Sequence, residues 1–320
     1  MPKREGDNLR SFLLTSSFIL GFTFKLNAGP DGVNCIMDKR KLAVAVPASF
    51  VADTPHLREK TSKVGLVGRA AAIFRVDEVV VYRDDPKHSQ DADLDLIAAL
   101  LSYLETPQYL RKRLFKLEPR LQFAGILPPL RTPHHPVSGK TKSLKAGEYR
   151  EGLVLSQNKE GLLVDIGVEQ PALLRERQHR VGERLTLQIV NAGERVEVQT
   201  VSRLEIPDYR GYTVTIERAS LSRLVETRGF DLTVGTSRRG AELDKVSGEL
   251  AVRWKDASGI LVVFGAPTRG LYEIAEDEGV RLDELVDFVL NTVPGQGTET
   301  VRTEEAVLAS LAVLNVQFGF

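Results

Sequence analysis

The 320-residue sequence is poor in cysteine, methionine and tryptophan, with one, two and one of each. The single cysteine, Cys35, excludes an intramolecular disulfide framework, and no cysteine and histidine residues have the spacing of zinc ligands. The formal net charge is zero, so any affinity for nucleic acid has to come from local clusters of charge. We therefore predict a globular protein of the reducing cytoplasm that holds no metal.

Long apolar runs are also scarce. The main one, residues 11–24, follows a basic start, but it is too short to span a bilayer comfortably and lacks a small-residue cleavage site. Met37 directly precedes the first predicted strand. We predict that residues 1–36 form a dispensable extension and that a chain begun at Met37 folds. A membrane anchor is the alternative.

Strands and helices alternate at both ends of the chain. The predicted strands are residues 42–46, 76–82 and 232–235, and the predicted helices are residues 56–72, 92–105 and 220–228. This alternation is typical of an α/β domain with a largely parallel sheet.

The central segment breaks this alternation, because helical periodicity is lost and glycine recurs beside short apolar runs. Its five predicted strands are residues 152–155, 161–167, 184–190, 194–201 and 212–216. Such a pattern is typical of a five-stranded OB-like β-barrel, although a small barrel can also serve only as a spacer. We therefore predict an α/β domain formed by residues 37–145 and 219–320, with a barrel inserted at residues 146–218.

Two glycine-rich loops follow apolar strands near the end of the chain. One loop is residues 265–270, and the other leads from residue 293 into an amphipathic helix that Thr298 or Thr300 can cap. Glycine allows the backbone to approach a ligand closely, and the amides of a helix start point outward as donors. Since loops at strand ends meet at one edge of a parallel sheet, we predict one ligand pocket.

These segments resemble the SPOUT superfamily of RNA methyltransferases, and more closely its archaeal and eukaryotic branch with an OB-type domain inserted into the catalytic fold. The resemblance spans residues 40–316. The matching segments are REKTSKVG at 58–65, RAAAIFRVDE at 69–78, FAGILPPLRTPHH at 123–135, FGAPTRG at 264–270 and NTVPGQGTETVRTEEA at 291–306. Five segments in the same order are far more specific than one glycine loop.

The resemblance implies a trefoil-knotted sheet, a homodimer and S-adenosylmethionine-dependent methylation of RNA, preferably at a nitrogen of a ribosomal RNA base. The alternatives are a non-catalytic RNA-binding assembly factor that retains the pocket, and a protein-binding adaptor built on the barrel. The residues that we assign to the cofactor are Thr236, Gly265, Ala266, Pro267, Gly270, Asn291, Thr292, Pro294, Gly295, Gln296, Gly297 and Thr298. In particular, we expect Gly297→Val to exclude the cofactor.

Basic residues supply the candidates for catalysis and RNA binding. Arg302, just beyond the second loop, is the predicted catalytic residue, and ion pairing with Glu299 or Glu305 is its alternative role. Cys35 lies outside the matching region, so a covalent cysteine adduct lacks its nucleophile. Residues 111–145 carry nine lysines and arginines against one glutamate, which predicts phosphate binding unless this face is only solvated. The predicted RNA-binding residues are Arg69, Arg75, Lys112, Arg113, Lys116 and Arg238.

Other motifs have ordinary explanations. SGKT at residues 138–141 is similar to the end of a P-loop, but His134 occupies the position of its first glycine. His134 and His135 lack further ligands at metal-binding spacing, so we expect loop residues with a structural or RNA-facing role. We expect the acidic residues between 273 and 287 to be solvated surface. Glu304 and Glu305 could serve catalysis from the start of the last helix, but the dipole of this helix is sufficient to account for them and is the interpretation that we prefer.

Overall fold

The structure is a computed structural model that describes residues 40–320, together with the backbone of residues 24–29 and 32–37. The strands are β1 (Phe24–Gly29), β2 (Gly32–Met37), β3 (Lys41–Pro47), β4 (Glu78–Tyr82), β5 (Tyr149–Gln157), β6 (Leu162–Asp165), β7 (Ala172–Leu174), β8 (Arg184–Ala192), β9 (Val196–Thr200), β10 (Thr213–Glu217), β11 (Leu232–Glu242), β12 (Gly259–Val263) and β13 (Phe288–Asn291). The helices are α1 (Leu57–Ile73), α2 (Asp91–Glu105), α3 (Gln108–Leu114), α4 (Leu221–Thr227), α5 (Leu243–Asp256), α6 (Leu271–Asp277), α7 (Leu282–Leu285) and α8 (Thr303–Phe318).

The predicted extension, residues 1–36, lies largely outside the described residues and stays a prediction. The strands β1 and β2 pair with each other in an antiparallel, two-stranded sheet. Within the described part of the chain, no helix is both long and apolar enough to cross a bilayer.

Six strands form a parallel sheet in the order β10-β4-β3-β12-β11-β13. The inner strands β3 and β12 are almost continuous apolar runs, because helices cover both faces of the sheet. One apolar core packs the sheet against α1, α2, α5 and α8, and a second core packs it against α4, α6 and α7. The predicted α/β class with a parallel sheet is confirmed.

A closed five-stranded barrel, in the order β5-β6-β7-β9-β8, is inserted between α3 and β10. The predicted barrel is confirmed, but one of its strands was wrong. Residues 212–216, predicted as the fifth barrel strand, largely coincide with β10, which pairs with β4 at the edge of the parallel sheet. The missing barrel strand is β7, whose three residues are all buried and show no alternation of polar and apolar side chains.

A buried charge cluster joins the barrel to the sheet domain. Glu105, the last residue of α2, is 5% exposed, and its carboxylate contacts Arg184 Nη1 of β8 at 2.7 Å and His134 Nε2 at 3.3 Å. Arg184 also reaches Glu151 of β5 at 2.9 Å, and Arg203 Nη2 lies 3.1 Å from the same Glu151 carboxylate. Paired charges therefore help to fix the position of the barrel against α2.

Candidate functional site

Three loops meet at the carboxyl edge of the parallel sheet and enclose a cavity of about 600 Å³. Two of them are the predicted glycine loops after β12 and β13. The third lies within β11, where Thr236 and Ala241 both pair with Leu290, so that residues 237–240 bulge outward. Since β11, β12 and β13 are parallel neighbours, their carboxyl ends place these loops side by side. The cavity has the size of a small-molecule site.

The structure brings most of the predicted cofactor residues together. Those that line the cavity are Thr236, Gly265, Ala266, Pro267, Gly270, Asn291, Thr292 and Gln296. Those that belong to the second loop but do not line the cavity are Pro294, Gly295, Gly297 and Thr298. Arg238, predicted to bind RNA, lines the same cavity and donates to the Glu299 carbonyl at 3.1 Å.

Side-chain hydrogen bonds tie the loops to the helix that follows them. Thr303 Oγ1, at the start of α8, donates to the Gly265 carbonyl at 2.8 Å, and the hydroxyls of Thr292 and Ser310 lie 2.7 Å apart. Sequence reasoning missed Thr303 and Ser310 as cavity residues. The sequence does contain a signal for them. They are polar residues on the buried side of an otherwise apolar helix, and their separation of seven residues is about two helical turns.

The last helix begins later than we expected. Neither Thr298 nor Thr300 caps it, because Arg302 is the N-cap residue and its backbone N–H donates to the Glu305 carboxylate at 2.9 Å. Glu305 therefore has the helix-end role that we expected for it. Glu304 differs, because it is 5% exposed and its Oε2 has no hydrogen-bond partner among the described residues.

The cavity wall also carries an ion pair. Arg239 Nη1 pairs with Glu273 at 3.0 Å, and its guanidinium lies over the Tyr272 ring, 4.1 Å from the centroid. Both Arg239 and Glu273 line the cavity. Glu273 and Asp287 are exposed, as expected for this acidic run, but Glu273 also lines the cavity and Asp287 accepts hydrogen bonds from Thr233 of β11.

Arg302 lies at a second cavity of about 380 Å³ rather than at the first. Residues alternate along the start of α8, because Val301 and Thr303 line the first cavity whereas Arg302 and Glu304 line the second. The opposite wall includes Lys63 of α1, which forms a salt bridge with Asp53. The two cavities are thus neighbours on either side of residues 301–304.

The remaining RNA-binding candidates do not form one continuous surface of unpaired basic side chains. Arg69 donates to the Pro129 carbonyl at 3.1 Å, and Arg113 pairs with Asp165 of the barrel at 2.7 Å. Lys112 and Lys116 are exposed and form no ion pair within residues 40–320. Arg75 is exposed and has a positive φ of 56°. The free charge of the basic linker is therefore smaller than its composition indicates.

The two adjacent histidines are structural. His134 is buried, and both imidazoles lie within hydrogen-bond distance of the Glu105 carbonyl. Burial, followed by the neighbouring His134, lowers the pKa of His135 to about 4, so this side chain is neutral at physiological pH. Residues 40–320 contain no group of three histidine, cysteine or acidic residues that could hold a metal ion.

The protein is thus an α/β protein with a parallel sheet, a cavity at the carboxyl edge of that sheet and an inserted barrel. Comparison with known sequences identifies its family. Residues 41–314 match the protein family described as "Putative RNA methyltransferase", and the chain belongs to this family.

Relatives are similar over most of the chain. An uncharacterized protein of Halobacterium salinarum is 35% identical over 86% of this chain and 98% of its own length. A human protein named 28S rRNA (uridine-N(3))-methyltransferase is 35% identical over 85% of this chain and 77% of its own length. The Drosophila melanogaster protein of the same name is 33% identical over 85% of this chain and 61% of its own length.

Proposed function

We propose that the chain uses S-adenosylmethionine to methylate N3 of a uridine in ribosomal RNA. The observation that carries this proposal is the cavity built by three loops at the carboxyl edge of the sheet, with a second cavity directly beside it. One cavity is suited to the methyl donor and the other to the base that accepts the methyl group. The names of the human and fruit fly relatives supply the choice of uridine N3.

The residues of the first cavity fit the cofactor. Its wall combines the backbone of the glycine loops with hydroxyls, amide side chains and the paired charges of Arg239 and Glu273. These groups match a ligand that has an aromatic base, ribose hydroxyls and a zwitterionic amino acid end. When bound, the cofactor supplies an electrophilic methyl group. The protein contributes alignment and exclusion of water, for which hydrogen-bonded loops are well suited.

Arg302 is proposed to act on the acceptor nucleotide. Its guanidinium forms no ion pair with any residue of the described chain, and it lines the second cavity. A planar group with several donors can orient a base carbonyl or a phosphate. The proposed reaction proceeds by direct displacement, without a covalent enzyme intermediate.

Methyl transfer from tritiated S-adenosylmethionine tests the proposed function. Ribosomal RNA from cells that lack the gene is the substrate, and ribosomal RNA from cells that carry it is the control, since its target site is already modified. We expect label in the first RNA and little in the second. Cofactor binding without labelling of either RNA would instead support an assembly factor that retains its pocket.

We also propose that the chain is a homodimer with a knotted catalytic domain, as the resemblance to SPOUT enzymes implies. Large apolar side chains are exposed on the neighbouring helices α1 and α8, namely Leu66 at 51%, Ile73 at 50% and Leu308 at 46%. Exposed apolar residues on adjacent helices favour burial against another surface. A second copy of the chain is the proposed occupant.

The barrel and the basic linker are proposed to bind RNA in the manner of an OB domain. We expect the double replacement Lys112→Glu and Lys116→Glu to weaken RNA binding and to reduce its salt dependence. Removing one cation that binds a phosphate should lower the slope of log affinity against log salt by about 0.7–0.9. Filter binding over a salt series measures both quantities.

The matched control for this double variant is Arg223→Glu with Lys245→Glu, which reverses two exposed charges outside the linker. This control should leave the slope unchanged. If both double variants change the slope equally, the effect reflects overall charge and the linker has no special role.

Gly265 is the glycine at which we expect substitution to reduce cofactor binding. A Cβ atom there would lie 2.9 Å from the backbone nitrogen of Leu271 and 3.1 Å from Gly270 Cα, so Gly265→Val has to displace the loop that lines the cavity. We expect the affinity for S-adenosylhomocysteine to fall at least about tenfold, or 1.4 kcal/mol, by calorimetry.

Gly297→Val is the matched control, and it replaces our expectation that this substitution excludes the cofactor. Gly297 does not line the cavity, and a Cβ atom there meets no neighbour within 4 Å. Its effect should stay within about 0.5 kcal/mol. Loss of binding in Gly297→Val but not in Gly265→Val would place the cofactor against the other loop.

A further inference from the structure

Glu304 has an unusual environment for an acidic residue in the first turn of a helix. Its side chain is buried, with the residue 5% exposed, and Oε2 has no hydrogen-bond partner among the described residues. Leaving a buried polar atom without a partner costs free energy. The adjacent Glu305 already binds the N-cap amide. A ligand is therefore a reasonable source of the missing partner.

The cavity that Glu304 lines carries the charges that a uracil would need. Lys63 comes from α1 and Arg302 from the start of α8, so two cations and the Glu304 carboxyl, whose Oε2 has no partner among the described residues, line one space of about 380 Å³. Residues 301–304 lie between this space and the first cavity, because Val301 and Thr303 line the first whereas Arg302 and Glu304 line the second. A base bound here is adjacent to the place proposed for the methyl donor.

Uridine N3 bears a proton that has to leave before or while the methyl group is attached. Its loss spreads negative charge onto the flanking carbonyl oxygens O2 and O4, which nearby cations stabilise. A site for N3 methylation thus needs a proton acceptor close to positive charge. The second cavity offers Glu304 as the acceptor and Arg302 as a cation without an ion pair in the described chain, while Lys63 lies there paired with Asp53.

We propose that the second cavity receives the acceptor uracil and that Glu304 accepts the proton from N3, an inference that rests on the proposed function. The N–H bond breaks and its proton moves to the carboxylate, while the N3 electron pair forms the bond to the methyl carbon. The electron pair of the broken S–CH₃ bond stays on sulfur. Glu304 then releases its proton to solvent, which restores the carboxylate for the next turnover.

The surroundings of Glu304 suit a general base. Burial raises the pKa of its carboxyl, which makes the carboxylate a stronger base than one in water, and the charge of Glu305 acts in the same direction. A backbone hydrogen bond at Glu304, followed by the charges of Lys63 and Arg302, opposes this rise and favours the ionised form. The other charged groups at the cavity are Asp53, which pairs with Lys63, and Glu59 of α1.

Glu304→Gln tests the assignment, with Glu305→Gln as the matched control on the same turn of α8. The full chain, S-adenosylmethionine and ribosomal RNA from cells that lack the gene are mixed in single-turnover reactions over a pH series. We expect Glu304→Gln to lower the rate by about 10²–10⁴-fold. We also expect the rate of the wild type to level off above the pKa of the carboxyl, whereas the residual rate of Glu304→Gln keeps rising with pH.

Two further readouts separate catalysis from structure. Because Gln carries no charge, Glu304→Gln removes the cost of a buried carboxylate, and its melting temperature should equal or exceed that of the wild type. Its affinity for S-adenosylhomocysteine should be unchanged. Wild-type rates in Glu304→Gln would overturn the proposal, and so would weaker dimerisation at full activity, which would assign the cavity to the interface between copies. Wild-type protein that methylates another atom would refute the proposed function itself.

Discussion

Replacing Glu105 with alanine should lower the free energy of unfolding by about 3–5 kcal/mol, the range found when one partner of a buried ion pair is removed. The Glu105 carboxylate accepts two hydrogen bonds from Arg184, at 2.7 and 3.0 Å, and lies 3.6 Å from Arg203 Nη2. Alanine would remove the carboxylate that the guanidinium groups of Arg184 and Arg203 contact at the junction between α2 and the barrel. The loss should be evident as a lower urea midpoint.

The control for Glu105→Ala is Glu284→Ala, which breaks the exposed pair between Glu284 and Arg281. Exposed pairs of this kind contribute about 1 kcal/mol or less. Equal midpoints for Glu105→Ala and the wild type would show that the charge cluster does not hold the barrel against α2.

The same cluster predicts how stability depends on pH. Burial alone would raise the pKa of Glu105, but the hydrogen bond with His134 and the charge of Arg184 outweigh burial and lower the pKa to about 2. Since the pKa is depressed in the folded state, the carboxylate contributes stability above its unfolded pKa, about 4.5, and this contribution is lost as the pH falls towards 2. Between these values, the unfolding free energy of the wild type should fall more steeply than that of Glu105→Ala.

Arg302→Ala should reduce single-turnover methylation by about ten- to a thousandfold, the scale expected when a group that positions the substrate and stabilises charge is removed. Because Arg302 lines the second cavity and not the first, the affinity for S-adenosylhomocysteine should stay the same. Rapid-quench assays and calorimetry measure the two quantities.

Arg223→Ala, at an exposed position on α4, provides the comparison for Arg302→Ala and should methylate normally. An Arg302→Ala rate equal to that of this control would show that Arg302 has no role in the reaction.

The fold was predictable where local patterns and tertiary structure agree. Short apolar runs such as AVAV in β3 are typical of buried strands in a sheet that is covered on both faces, and their alternation with helices indicates parallel pairing. The two glycine loops were predictable because each directly follows an apolar strand of this kind. Eight of the twelve assigned cofactor residues line a single cavity.

Other features depend on partners that are distant in sequence. The strand β10 has an ordinary pattern, and only its pairing with β4 distinguishes it from a barrel strand. The bulge at residues 237–240 is defined by Thr236 and Ala241, which both pair with Leu290 of the neighbouring strand. The burial of Glu304 arises from the packing of α8 against α1, which neither helix reveals alone.

Locating the methyl group in the product RNA tests the central claim most directly. Ribosomal RNA from cells that lack the gene is treated with the purified chain and S-adenosylmethionine, digested to nucleosides and analysed by mass spectrometry against synthetic standards. We predict that 3-methyluridine forms and that no nucleoside methylated at carbon accompanies it. A methyl group on a base carbon, or on a ribose oxygen, would contradict the account.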